Sequence, residues 1–444
     1  MKRLLNHFFR ERSGQSLIEI MIGLSIGAIL IGTASFGVAF ILRSSSTNQN
    51  LGVASETTQG LLEKVRSFSN ANWQNIYGLQ KGSSVHYFLV ASGTSLFGVQ
   101  GKEGVIDNDV TNGLVGEWGF DEDTSSTSTT TYDVSGDGNN GTLMNSPARA
   151  SSTCKIANCL SFNGLNSYVT VTDPPSGVLD PTSAYSVSFW IKSTSTATYA
   201  FMVSKSNGGS GGGYEMFFSG GGKVRFSSCD LAGSCSGGYF DISTPLSYND
   251  GSWHFVVGTA MTSSTANIYV DGVSVSQSGT ITQSNIANAY PLVIGGRGTA
   301  GGSPYSGMLD DVRVYNRALS ASEVSQMYKS GIFDRYFYVE NVCRSNDASS
   351  TNTGVSPCGG GSIDDPLTQK ATAVAEWAAN GTTAQFSLGG YLTRWKNFLL
   401  RQTDWSGGSG TAGPVTTPDN GYASGTNITN TPLGSFQIQN LSQQ

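Results

Sequence analysis

The first residues with chemical potential are six cysteines in three close pairs: Cys154 with Cys159, Cys229 with Cys235, and Cys343 with Cys358. An even count closing short loops points to disulfides and an oxidising compartment. Zinc is the competing chemistry, and it calls for Cys-x2-Cys spacing or added histidines. The spacings are wider, and only His7, His86 and His254 are present. A second reactive feature is Glu19, the one charged residue in the apolar run 15–42. An ionisable group at membrane depth is costly and marks a function. Glycoside hydrolysis would need two carboxylates about 5–9 Å apart. No Glu-x-Asp-x-Glu triplet occurs, and Glu215 stands alone in GYEMFFSG. Asp310 and Asp311 are adjacent, so a strand would point them to opposite faces. The Gly-rich stretches 208–213 and 298–302 are candidate mobile loops, without the Lys-Ser or Lys-Thr of a phosphate loop. Catalysis is not expected.

These residues need elements to position them. A chain of 444 residues exceeds one ordinary domain, so two or three units are expected. Charged residues make up 13%, the net charge is -6, and Gly, Ser and Thr are abundant. That is the balance of a β-rich extracellular protein, and the acidic surface argues against nucleic acid as a partner. The run 15–42 is long enough to cross a bilayer, which takes about 20 residues of helix. Lys2, Arg3, Arg10 and Arg12 in the leader, against Glu11, hold that end in the cytoplasm. Gly23 and Gly27 would permit close helix packing. Leu61, Leu62, Val65 and Phe68 then continue a helix with a core-facing stripe, to about Leu79.

Between 113 and 331 the text changes to short alternating runs, such as KVRFSS, HFVVGTA, ANIYVDG and YPLVIGG, separated by turn residues. This pattern predicts an antiparallel sandwich, with Asp271-Gly272 at a hairpin tip. LSASEVSQMYKSG predicts a short closing helix. VHYFLVASGTSLFGVQG before this segment predicts two strands; after it, FDRYFYVENVCRS predicts a strand and DDPLTQKATAVAEW a turn followed by a strand. YLTRWKNFLLR reads as a solvated strand face. From 406 onward no apolar period survives.

Gly14 precedes the apolar run, the reverse of an ordinary signal peptide. Gly14 followed by Gln15-Ser16-Leu17-Ile18-Glu19 resembles the class III signal of type IV pilins and pseudopilins, with Glu19 as the fifth residue of the mature chain. Gln15 departs from the Phe or Met preferred there. The resemblance implies cleavage between Gly14 and Gln15 by a prepilin peptidase, N-methylation, single-pass residence in the inner membrane with the N-terminus inside, and assembly with other pilin subunits. The new α-amino group at Gln15 would be buried in a filament, where Glu19 of an adjacent subunit would neutralise it. Two buried charges are tolerable only as a pair.

A second resemblance rests on GLVGEWGFDED, YDVSGDGNNGTL, CLSFNGLNSYVTV, YSVSFWIKS, DGSWHFVVGT, IYVDG and GMLDDVRVYNRALSASEVSQMY, in this order. Together they resemble a laminin-G-like, concanavalin A-like jelly roll. That implies two curved sheets with a concave face, and a core holding Trp118, Phe120, Phe162, Phe189, Trp190 and Trp253. His254 is read as a plain strand residue. The superfamily often holds a structural Ca2+ with carboxylates near its first and last strands. The candidate ligands here are Asp121, Asp133 and Asp310, hard oxygen donors of the type calcium takes. Turn-capping aspartates are the competing reading.

The expected fold is therefore α+β and pilin-like, a long N-terminal helix plus an antiparallel sheet, with an inserted all-β concanavalin A-like jelly-roll sandwich. The expected divisions are a leader at 1–14, helix and first head strands at 15–112, the insert at 113–331, further head strands at 332–405 and a tail at 406–444. The expected function is a minor type IV pilin-like subunit displaying a lectin-like module for surface adhesion at the cell surface or pilus, by carbohydrate binding, with a glycan or a surface protein as ligand. A pseudopilin of a type II-like secretion system is the alternative, and a tethered glycosidase a more distant one.

Overall fold

The structure, a computed structural model, describes residues 17–92, 94–107, 109–207, 212–229, 239–261, 264–278, 286–345, 362–379 and 381–394. It also describes short stretches at 352–355, 358, 400–402, 412–414, 428–430 and 436–438. Gly14 and Gln15 lie outside the described residues, as does most of the tail expected at 406–444. The chain divides into two compact units between Val53 and Ala54.

The first unit is helical. The helix Leu17–Ala71 runs for 55 residues, with Glu19 in its first turn. Met21, Leu24, Leu30 and Ile31 are exposed on it. The hydroxyls of Ser25 and Thr33 donate to the carbonyls of Met21 and Leu30, so these polar groups are satisfied within the helix. Among the described residues no helix is long and apolar enough to cross a membrane. The crossing expected at 15–42 falls largely on side chains outside that description.

In the second unit, Leu61, Leu62, Val65 and Phe68 are buried together with Trp73, Ile76, Tyr87, Leu89, Phe337, Val339, Ala371 and Ala373. Their three- and four-residue spacing puts them on one helix face, which packs against a sheet. That sheet runs Ser95–Gln100, Tyr87–Ser92, Ile332–Arg344, Ile363–Ala379, Thr382–Thr393, antiparallel throughout; Glu103–Ile106 and Asn352–Val355 also pair with Ile332–Arg344. The turn expected at DDP is instead a bulge inside one continuous strand. Asn341 pairs with Gln369, but Val342 pairs with Asp365, so 366–368 drop out of that ladder. Proline has no N–H to give a ladder, and Asp365 Oδ1 accepts the Leu367 N–H in its place.

The polypeptide leaves this sheet and returns to it at one point. Ile106 pairs with Ile332, and the Asp107 N–H donates to the Gly331 carbonyl at 2.8 Å. The chain between them forms a two-sheet sandwich. The front sheet runs Val273–Gln277, Ala266–Val270, His254–Met261, Ala184–Lys192, Ser306–Tyr315, Cys159–Asn163, Ala148–Ala150, with Leu114–Trp118 also paired to Ser306–Tyr315. The back sheet runs Tyr239–Ser247, Lys223–Cys229, Gly213–Ser219, Ala200–Lys205, Leu292–Ile294, Tyr168–Val171, Gly141–Met144, Thr130–Thr131. Period-two alternation fills the space between them. Val187, Phe189 and Ile191 meet Met202, Met216, Phe218 and Phe226 there, while Trp190 points the other way.

Asp271 and Gly272 both have positive φ, 50° and 78°, as the hairpin turn requires. Trp253 departs from the core expectation: it is half-buried, and its indole N–H donates to the Thr153 carbonyl at 2.9 Å. The closing helix is Ala321–Lys329, started by a capping box between Ser320 and Glu323. The disulfides Cys154–Cys159 and Cys343–Cys358 are formed. Cys229 is also disulfide-bonded, and Cys235 lies outside the described residues.

Candidate functional site

The three candidate calcium ligands are used by the backbone. Asp133 Oδ1 accepts the N–H of Glu117 and of Ser135, both at 2.9 Å, and its Oδ2 accepts that of Asn139 at 2.8 Å. Asp310 Oδ2 accepts from Lys155 and Ile156 at 3.0 and 2.9 Å. Asp121 accepts from Gly104 at 2.7 Å and Asn158 at 3.2 Å. Asp310 and Asp121, with Asp334, which accepts from Ala157, receive four successive amides of the Cys154–Cys159 loop. Burial pushes the Asp121 and Asp310 carboxyls well above the usual range, against the backbone hydrogen bonds. Among the described residues no three His, Cys, Asp or Glu side chains are grouped to hold a metal. In this structure the three carboxylates are engaged by backbone amides. His254 lies between Asp271 at 2.9 Å and Asp250 at 3.2 Å, and its hydrogen bond to Asp271 leads in raising its pKa.

A different set of side chains converges on the outer face of the back sheet. In Gly213–Ser219 the residues Tyr214, Met216 and Phe218 enter the core, so Glu215 and Phe217 face outward. Phe217 is opposite Phe201 on one neighbouring strand and Arg225 on the other. The rings of Phe201 and Phe217 stack with centroids 4.6 Å apart, and Tyr199 stacks on Phe217 at 5.8 Å. Tyr199 holds a left-handed φ of 61°, anchored by its N–H to the Phe218 carbonyl, and is 52% exposed. Two guanidinium planes flank the row: Arg297 lies 4.7 Å over Phe201 and Arg225 5.7 Å over Phe217.

Each arginine is held by a carboxylate fork. Glu215 takes Nε and Nη2 of Arg297 at 2.6 and 3.0 Å. Asp241 takes Nε and Nη2 of Arg225, and this hydrogen bonding raises the pKa of the guanidinium. Arg297 is placed by a paired bridge to Gly302, N–H to carbonyl at 2.8 Å in both directions. That bridge closes most of the Gly-rich stretch expected to be mobile. The face thus offers an exposed aromatic ring between two planar ion pairs. Sequence reading missed it. The outward pair Glu215 and Phe217, two apart in a strand with apolar partners between, was the signal available.

A polar cleft of about 360 Å3 lies beside the Cys154–Cys159 loop, lined among others by His86, Lys102, Asp123, Asn158 and Asp334. His86 packs on Tyr336 with centroids 4.2 Å apart, and Lys102 lies 4.6 Å over the same ring. Burial, then the Lys102 charge, lowers the His86 pKa, and burial raises the Asp334 carboxyl.

No curated protein matches the chain. Solved structures similar to it include domain 4 of AbnA, a GH43 extracellular arabinanase from Geobacillus stearothermophilus, in complex with arabinotriose. That likeness has 20% identity and a TM-score of 0.39, over 49% of this chain and 98% of that one. The binding domain of Paraclostridial Mosquitocidal Protein 1 is 14% identical over 61% of this chain and 72% of its own, with a TM-score of 0.40. The binding domain of botulinum neurotoxin serotype G is 12% identical over 59% and 75%, with a TM-score of 0.39. Family models match two separate segments: the chain carries the prokaryotic N-terminal methylation motif at residues 9–35 and, within its sandwich, a domain of the concanavalin A-like lectin/glucanases superfamily at residues 163–325.

Proposed function

We propose that this chain is a pilin-type subunit that displays a carbohydrate-binding module at the cell surface. The observation that carries the reading is the outer face of the back sheet, an exposed Tyr199 stacked on Phe217 and Phe201 between two forked ion pairs. A sugar ring has a C–H face that packs on an aromatic surface and an equator of hydroxyls that needs fixed donors and acceptors. Sites of this kind combine apolar contact with a few oriented polar groups. The rigid forks supply both donors and acceptors at no further ordering cost.

Binding rather than hydrolysis is the activity in this reading. Glu215 and Asp241, the carboxylates beside the aromatic row, are committed to Arg297 and Arg225. The methylation motif supplies the other half of the proposal: cleavage after Gly14 by a prepilin peptidase, anchoring in the inner membrane, then assembly with other pilin subunits through the apolar helix. The sheet against which 61–68 pack serves as the pilin head. A bulky insert would crowd a repeating filament wall, which suits a tip or low-copy position.

The test is a glycan-array screen of the full chain in detergent, with Tyr199→Ala and Arg297→Ala beside the wild type. Specific binding by the wild type, weakened in both variants, supports the reading. Unchanged binding in both variants would move the site elsewhere, and no glycan binding by folded protein would refute it.

A further inference from the structure

The ammonium of Lys205 sits in a shell of five oxygens. They are Asp180 Oδ1 at 2.8 Å, Asp173 Oδ1 at 2.9 Å, the Asn288 carbonyl at 3.0 Å, the Tyr290 carbonyl at 3.2 Å and Asn288 Oδ1 at 3.4 Å. The side chain is fully buried. An ammonium has three N–H bonds to give, and here it faces five acceptors. The arrangement is that of an ion in a coordination shell rather than of a donor matched to its acceptors. Two carboxylates with carbonyl and amide oxygens are also the donor set that calcium takes, at 2.3–2.6 Å with about six to eight ligands.

The shell is built at the ends of three adjacent back-sheet strands. Lys205 closes Ala200–Lys205, Asn288 and Tyr290 precede Leu292–Ile294, and Asp173 and Asp180 follow Tyr168–Val171. Asn288 is itself fixed. Its Nδ2 donates to the carbonyls of Gly212, Lys205 and Ile286, and its N–H donates to Asp180 Oδ1. Gly213 is required beside it, with φ of 133°; a Cβ there would meet the Lys205 carbonyl at 1.9 Å. The oxygens are therefore held in place by the backbone as well as by the charge they surround.

We propose that Lys205 is an internal replacement for a metal cation: its ammonium fills an oxygen cage at the loop edge of the sandwich, so this edge stands without calcium. Emptying the cage turns it into a divalent-cation site. The two aspartates then face three further oxygens with no positive charge among them, a costly arrangement that Ca2+ relieves. Contraction of about 0.5 Å, with waters in the space left by the stem, completes a calcium shell.

The experiment compares the full chain in detergent with Lys205→Ala and Lys205→Ser, by thermal unfolding and Tb3+ luminescence, with EDTA and with millimolar Ca2+. The wild type is expected to show the same Tm in both conditions and no Tb3+ signal from this edge. Both variants are expected to melt lower in EDTA and to recover by about 1–6 °C in 1 mM Ca2+, with affinity in the roughly 10⁻⁴–10⁻³ M range of extracellular calcium modules. Adding Asp180→Asn should abolish the recovery. Folded variants indifferent to Ca2+, variants that fail to fold even in Ca2+, or a wild type whose Tm depends on calcium through Asp180 would each overturn the proposal.

Discussion

The two outer faces of the sandwich start alike and end differently. Both sheets point large apolar residues outward, Trp190, Phe255, Val257 and Tyr269 from the front sheet and Phe201 and Phe217 from the back. The front face is covered by the chain itself. Val324 and Met327 of the closing helix, Ile156 of the disulfide loop, and Ile106 and Val110 at the junction with the sheet of Ile332–Arg344 all join its cluster. Among the described residues, Phe201 and Phe217 on the back face are covered by Tyr199 and two guanidinium planes. Phe201 and Phe217 are 1% and 5% exposed beneath them, while Tyr199 remains in solvent. One apolar face has become core, and the other is capped by groups that can also meet a ligand. Apolar surface facing out is therefore not a single signal: what lies over it separates stability from recognition.

The comparison breaks most visibly at Trp190. Its indole packs on Phe255 at 5.0 Å and Tyr328 at 5.9 Å, and Lys155 lies over it at 4.3 Å. Trp190→Ala should cost about 3–5 kcal/mol, read as a large drop in Tm with little direct effect on glycan affinity per folded molecule. Tyr199→Ala should do the opposite. A half-exposed ring that stacks on Phe217 should cost folding only about 1 kcal/mol when removed, whereas loss of a stacking contact should weaken glycan binding several-fold, up to about tenfold. If the two variants lose stability equally, the distinction between the faces fails.

A smaller effect tests the covering of the front face. Ser320→Ala removes the cap of the helix Ala321–Lys329 and should cost about 1 kcal/mol, measurable as a modest fall in Tm. The smallest concerns pH. Hydrogen bonds from Arg317, then from Ser320, hold the Glu323 carboxyl at about 2, below its ordinary 4.5, against partial burial. A depressed folded pKa gives stability that is present above the unfolded value and lost as pH falls through the folded one. The Tm gap between wild type and Glu323→Gln should accordingly shrink from pH 4.5 to pH 2. A gap that widened on acidification would contradict the sign.

Local patterns were legible where neighbours in sequence are neighbours in space. The stripe at Leu61, Leu62, Val65 and Phe68, the Asp271-Gly272 turn and the short closing helix in LSASEVSQMYKSG are of this kind. The break expected at Pro366 was misread because a bulge can skip a proline without ending the strand. For Asp121, Asp133 and Asp310 the sequence offered only residue type, and the amides that engage them come from positions distant in the chain or across a loop. Lys205 in VSKSNGG carried no signal, since its oxygens come from positions 173, 180, 288 and 290.

By itself the sequence determined the N-terminal helix, the methylation motif with Glu19 within it, and the sandwich with its alternating core, because periodicity and short motifs are local properties of a chain. Only the tertiary structure decided which outer face stays open, how Arg225 and Arg297 come to flank Phe217, and that an ammonium occupies the oxygen cage. Those outcomes depend on strand order and register, which bring distant residues within a few ångströms, and in a two-sheet fold such pairings are set by the packing of the whole rather than by any one segment.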